Sequence, residues 1–280
     1  MIFGSGEILD ESEFRLPIHD RLLEHGLGLF ETLRTWNGSP VLLSRHLARM
    51  IRSARALDLP LDESKLPDRA AVAALVAANG EAGDVRLRIT LSGGSTSDGK
   101  RSAVVWMRST RLDANLPAAA IKPIKLLLAE PTISWCDPLA RHKTINYWLR
   151  KWIFDQAIAA GYDDALIASH DGRVWESSRA NLFLVFGETL VTPGIDGPIV
   201  PGVMRAVVVE RARAIGMNVI ESDITLDRIE RADEVFLTNS VRGPIPVGRT
   251  PARTLSAPGP RTVELTQNVL AFLNSGAENR

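Results

Sequence analysis

Stretches of helical and of strand periodicity alternate along the whole chain, a pattern that suits an α/β or α+β protein and excludes a helical bundle or a β-sandwich. Leu47, Met50, Ile51, Ala54 and Leu57 recur at three- and four-residue spacing, which predicts a helix over 44–57 with Ser44 as its N-cap. An alanine-rich helix is predicted over 66–78, stopped by Asn79 and Gly80. Segments 85–91 and 103–107 read as the arms of a hairpin around a long Gly/Ser-rich tip. Farther along, strands are predicted at 124–129, 164–168, 181–186, 190–192, 218–221 and 234–238, with helices at 146–160, 202–215, 224–230 and 261–273. The pattern lapses between Arg111 and Pro123. That lapse divides the chain into an amino-terminal domain 1–112, a linker 113–122 and a larger carboxy-terminal domain 123–280.

Length and charge narrow the function. The 280 residues suffice for two domains with sizeable cores. Thirty-three basic side chains balance thirty-three acidic ones, so the electrostatic footprint of a nucleic-acid binder is missing. Cys136 is the only cysteine, which excludes an intrachain disulfide and a cysteine-built zinc site and fits a reducing compartment. The first residues lack a basic segment followed by an apolar one, and no apolar run approaches the roughly 20 residues that span a bilayer. The expectation is a cytoplasmic protein without membrane or nucleic-acid partners.

Several short motifs lead nowhere. Gly94 to Arg101 nearly matches a phosphate loop, but Arg101 replaces the required hydroxyl and a strand follows where a helix is needed. Gly26 and Gly28 lack the third glycine and the preceding strand of a dinucleotide fingerprint. His19, His25, His46, His142 and His170 include no pair at helical ligand spacing, so no metal is expected. No Gly-x-Ser-x-Gly elbow exists for a serine hydrolase.

Lysine is scarce, and any Schiff-base chemistry must use one of six: Lys65, Lys100, Lys122, Lys125, Lys143 or Lys151. Lys143 stands apart, placed just before a predicted helix among His142, Asn146 and Tyr147, groups able to fix and desolvate an amine. Downstream, Glu176 to Phe183 is followed by Leu190 to Thr192 and by Val200 to Arg205. In these blocks the sequence resembles the class IV, or fold type IV, pyridoxal-phosphate aminotransferase family. The likeness extends from about Asp20 to Val247 through Phe30-Glu31-Thr32 and through His46 to Met50.

The resemblance implies a two-domain α/β (α+β) fold with the active site in the interdomain cleft, a homodimer, and pyridoxal 5'-phosphate as cofactor. It places the Schiff-base lysine at Lys143, the partner of the pyridine nitrogen at Glu176 and a phosphate-binding arginine at Arg49. Val203 and Met204 would donate amides to the phosphate from a helix start, Ser240 a hydroxyl, and Tyr147 a hydrogen bond to the phenolic oxygen. A substrate amine would displace Lys143, which would then act as general base. Three blocks, 29–34, 202–205 and 237–243, are similar to those of the aminodeoxychorismate lyases, which release 4-aminobenzoate and pyruvate. That implies carboxylate recognition near Phe30 by Arg34 and Arg242. The loop from Leu91 lacks the arginine-rich stretch of many lyases and also the Arg-x-His trap of the D-amino-acid enzymes. Transamination of branched-chain amino acids, D-amino acids or (R)-amines with a 2-keto acid is the alternative.

Overall fold

A computed structural model describes residues 1–81, 83–97, 99–112 and 122–275. Its contacts divide the chain into two units, Met1–Asn115 with His142–Asn146, and Leu116–Arg141 with Tyr147–Arg280. The linker expected at 113–122 lies, apart from Lys122, outside the described residues.

The first unit is built on a six-stranded sheet. Its strands are β1 (Ile2–Gly4), β2 (Glu7–Leu9), β3 (Gly28–Trp36), β4 (Ser39–Pro40), β5 (Val85–Ser92) and, after the small hairpin β6 (Ser95–Ser97) and β7 (Lys100–Ser102), β8 (Val105–Arg111). The sheet order is β2-β1-β8-β5-β3-β4. The predicted hairpin is present: β5 and β8 pair antiparallel with Ile89 opposite Met107. Its tip folds back as β6 and β7, so the near phosphate loop is a hairpin with no helix behind it. Leu29 and Leu33 of β3 join Leu87, Ile89 and Met107 in one apolar cluster with Met50 and Ala54 of α2 (Leu43–Ala56), which follows the short helix α1 (Arg21–His25).

Helix boundaries shift for local reasons. Helix α2 begins one residue early, with Leu42 as a left-handed N-cap at φ 55°, so Ser44 sits inside the first turn. The next helix, α3 (Arg69–Ala78), starts three residues late. Pro67 disfavours helical backbone at Leu66, and Asp68 accepts a capping hydrogen bond from Ala71 N at 2.8 Å.

The second unit holds an eight-stranded sheet: β9 (Ile124–Leu128), β10 (Asp164–Ala168), β11 (Val174–Ser177), β12 (Asn181–Phe186), β13 (Thr189–Thr192), β14 (Asn218–Glu221), β15 (Glu234–Asn239) and β16 (Gly243–Arg249). The order is β11-β10-β9-β16-β15-β12-β13-β14, and β11 also pairs with β12, so six strands close into a ring. One core cluster draws side chains from all six, among them Leu126, Leu166, Val174, Leu182, Leu237 and Ile245. Period-2 alternation turns Asn181 and Phe183 to the other face of β12, where Phe183 stacks on Phe236 with centroids 4.9 Å apart. Helices α4 (Trp148–Ala159), α5 (Val203–Ala214), α6 (Leu226–Arg231) and α7 (Pro260–Asn274) complete the unit. Among the described residues, no helix is long and apolar enough to cross a membrane.

Candidate active site

Lys143 belongs to the first unit although both flanks of its segment belong to the second. Residues 142–146 run against the start of β3: Phe30 N donates to Lys143 O at 2.9 Å, and Ile145 N donates to Gly28 O at 3.0 Å. The helix expected from residue 146 begins at Trp148, leaving Asn146 and Tyr147 outside it, directly after the segment that bridges to Leu29 at Thr144. A hydrogen bond of 2.9 Å joins His142 Nδ1 and Ser53 Oγ and ties the segment to α2 as well. The Lys143 amine lies 4.4 Å from the centroid of the Phe30 ring, and the Arg88 guanidinium carbon lies 3.8 Å from the same centroid. Two cations thus share one aromatic ring, and no sequence motif singled out Arg88.

Behind Phe30, the Glu31 side chain turns towards α2. Its carboxylate accepts from Arg49 Nε at 2.8 Å and from Nη2 at 2.5 Å, and it contacts His46 Nδ1 at 2.6 Å. Glu31 and His46 are 1% and 0% exposed, so the cluster is sealed from water. Burial alone would raise the carboxyl of Glu31; Arg49 and His46 overcome it and hold the group at about 2. Burial, joined by the charges of Arg49 and Lys143, lowers His46 against the raising effect of the Glu31 carboxylate. Glu31 is therefore an acceptor only, and the neutral His46 donates from Nδ1. His46 Nε2 is buried without a hydrogen-bond partner. The two Glu31 contacts fix the orientation of the Arg49 guanidinium.

Arg34 is engaged elsewhere in this unit. It donates from Nη2 to Asp84 at 3.1 Å and from Nε to Thr35 O at 2.9 Å, and it lies over Trp36. The structure does not bring it to the ring that Lys143 and Arg88 flank.

In the second unit, Glu176 on β11 pairs in register with Asn181 on β12 across a tight turn. Asp164 pins that turn, accepting from Ser178 Oγ at 2.5 Å and Ser177 Oγ at 3.0 Å. The Glu176 carboxylate accepts from Asn181 Nδ2 at 3.2 Å, from Val200 N at 3.3 Å and, closely, from Arg150 Nη2 on α4. Asn181 also donates to Val200 O at 3.0 Å. It thereby locks the chain that enters α5. Gly202 is the N-cap of α5 with no side-chain cap, and buried Val203 and Met204 open the helix. Amides at such a start attract an anion. Thr238, opposite Asn181 in the β12–β15 register, carries a buried hydroxyl oxygen without a partner.

Tyr147 donates its phenolic proton to Ser178 O at 2.9 Å, and burial pushes the phenol above its ordinary value. Ser240 stands in the turn between β15 and β16. There Asn239 Oδ1 accepts from Val241 N at 3.1 Å and Arg242 N at 2.9 Å, orienting Arg242. Half-burial and the charge of Arg179 lower Arg242, against the opposing pull of Asp163 and Asp164.

Each unit holds groups of the kind pyridoxal phosphate needs: the first an amine beside an aromatic ring, the second a buried carboxylate held by cationic and amide donors and a helix start without a side-chain cap. Among the described residues, no group of three or more His, Cys, Asp or Glu is placed to hold a metal ion.

Comparison with known proteins points to the same cofactor. The chain is 26% identical to the aminodeoxychorismate lyase of Bacillus subtilis over 88% of its own length and 85% of the relative's. It is 27% identical to the D-alanine aminotransferase of Bacillus licheniformis, over 98% and 96%. The fold matches the crystal structure of the branched-chain aminotransferase of Thermoproteus uzoniensis with a TM-score of 0.87 at 24% identity, covering 99% of this chain and 96% of that one. Residues 28–249 match the family described as amino-transferase class IV. With that match spanning most of its length, the chain belongs to the class IV aminotransferase family and is a pyridoxal-phosphate-dependent enzyme.

Proposed function

We propose that the enzyme cleaves aminodeoxychorismate to 4-aminobenzoate and pyruvate, with Lys143 as the catalytic amine. Bound pyridoxal phosphate supplies the electron sink for bonds broken at the amine-bearing carbon of the substrate. Lys143 carries the cofactor and afterwards takes the proton from that carbon. Glu176 keeps a negative charge at the pyridine nitrogen and favours its protonation. Arg49, Ser240 and the amides of Val203 and Met204 would hold the phosphate, and Tyr147 would turn its phenol from Ser178 O to the phenolic oxygen.

The substrate assignment rests on Arg242. Its backbone is fixed by Asn239, its side chain is half-buried, and it feels the charge of Arg179. A half-buried guanidinium on a fixed backbone presents a fork suited to one carboxylate of a dicarboxylate. In the first unit, Arg88 beside the Phe30 ring is another guanidinium suited to a carboxylate.

Transamination is the second reading, and the Arg34–Asp84 pair favours it: one of the two arginines assigned to the dicarboxylate is already neutralised by a partner within its own unit. Incubation of the holoenzyme with aminodeoxychorismate, followed by 4-aminobenzoate fluorescence, tests the choice. Product that appears with wild type and needs far more substrate with Arg242→Ala supports the lyase. Amine exchange between D- or L-amino acids or (R)-amines and a 2-keto acid, without 4-aminobenzoate, selects transamination. Lys143→Ala should lose the borohydride-sensitive visible band together with turnover; normal turnover would exclude both readings.

We also propose a homodimer. Trp135, Trp148 and Trp152, all well exposed on the second unit, support it, and sedimentation as a single chain would exclude it.

A further inference from the structure

We propose that Arg150 is a positioning residue for the cofactor: through its ion pair with Glu176 it keeps that buried carboxylate charged, and so sets how many protons accompany cofactor binding. The inference rests on the assignment of Glu176 to the pyridine nitrogen and adds to it a residue that the family pattern does not single out.

Glu176 is 2% exposed. A carboxylate taken that far from water loses its hydration, and without a cation beside it the neutral acid becomes the stable form. Neutral amide donors such as Asn181 Nδ2 and Val200 N offset only part of that loss. Arg150 supplies the missing charge. It reaches Glu176 Oε1 from the third residue of α4 and also donates to Ser177 O at 3.4 Å, so it is anchored at two points on the β11 end. Burial disfavours the Arg150 cation, yet the Glu176 carboxylate leaves it more firmly protonated than a free arginine. The coupling acts equally on both partners. Among the described residues, the charged or titratable groups facing the pair include Tyr147 ahead of α4, Asp164 on β10 and Arg179 in the β11–β12 turn. Asp164 is occupied by Ser177 and Ser178, and Tyr147 by Ser178 O.

Proton balance follows. In wild type Glu176 starts ionised, so the proton that ends on the pyridine nitrogen comes from solvent or arrives with the cofactor. With Arg150→Met, Glu176 starts protonated and passes its own proton to that nitrogen, so the same bound state forms with one proton fewer taken up. The slope of log Kd for pyridoxal phosphate against pH should therefore be lower in Arg150→Met by up to about one, a relative change of about tenfold per pH unit. Arg150→Lys, which retains a cation, should restore the wild-type slope.

Equilibrium dialysis of the holoenzymes between about pH 6 and 8 reads these slopes, with circular dichroism to confirm folding. A lower slope in Arg150→Met that Arg150→Lys recovers supports the role. Parallel lines for folded wild type and Arg150→Met overturn it while leaving the cofactor assignment standing; failure of wild type to retain pyridoxal phosphate removes both. Where Arg150→Met does not fold, infrared difference spectra of wild type against Glu176→Gln decide. An ionised carboxylate band at pH 7 supports the role, and a protonated carbonyl band overturns it.

Discussion

The Glu31 carboxylate grips the Arg49 guanidinium through two hydrogen bonds, Nε at 2.8 Å and Nη2 at 2.5 Å, deep under the sheet of the first unit. Removing the charge from one partner leaves the other buried and unmatched, an error that costs about 3–5 kcal/mol. Glu31→Gln should therefore lower the unfolding free energy of the cofactor-free protein by about 3 kcal/mol, measured by urea titration. A change below about 0.5 kcal/mol, the usual scatter of surface substitutions, would show that the pair is not sealed from water.

The same cluster sets an acid limit on stability. Both groups have depressed folded values, so their contributions are full above their ordinary values and vanish as pH falls. His46 begins to lose its share below 6.5, because the unfolded chain accepts a proton that the buried ring refuses. Glu31 loses its share between 4.5 and about 2. The urea midpoint should thus fall in two stages on acidification. His46→Gln, whose amide can donate to Glu31 but cannot titrate, should flatten the first stage and spare the second; an unchanged profile in that variant would refute the assignment.

How much of this could be read beforehand depends on where each residue's partners lie. Strands β10 and β12 coincide with their expected limits because both are short apolar runs bounded by turn residues. Strand β3 had no such mark: it is buried on both faces and carries Glu31 and Arg34, whose neutralising partners lie 18 and 50 residues away. Strand β16 was obscured by Pro244 and Pro246, which a central strand rarely admits. Lys143 and Glu176 are singled out by the family pattern alone. The residues around them, Arg88 and Arg150, are not, because nothing in local spacing reveals a cation that crosses to another element. His46 and Arg49 offered one usable hint, since residues three apart on a helix face a common neighbour.

Gly28 controls where Lys143 stands. A Cβ there would lie 2.5 Å from Ile145 Cδ1 and 2.6 Å from Leu91 O, at a backbone φ of +155°. Gly28→Ala should push residues 142–146 away from β3, cost about 1–3 kcal/mol and lower the fraction of chains showing the borohydride-sensitive band. Ile145→Val in the same chain relieves the side-chain overlap but not the carbonyl one. Partial recovery of the band is therefore expected, and full recovery would mean that the Leu91 carbonyl yields freely.

The two ends of α5 allow a matched test of the anion site. At its start, a Cβ on Gly202 would overlap Asn181 Oδ1, and Asn181 cannot swing aside without releasing Glu176 and Val200 O. At its far end, Gly216 has φ +84° and nothing within 4 Å of an added Cβ, so Gly216→Ala meets only backbone strain. Both substitutions should lower stability by about 1 kcal/mol or more. Only Gly202→Ala disturbs the amides of Val203 and Met204 and the carboxylate that they accompany. Its dissociation constant for pyridoxal phosphate should rise at least about tenfold, equivalent to about 1.4 kcal/mol, while that of Gly216→Ala stays near wild type. Equal weakening in the two variants would mean that cofactor retention follows overall stability, and the start of α5 would lose its claim to the phosphate.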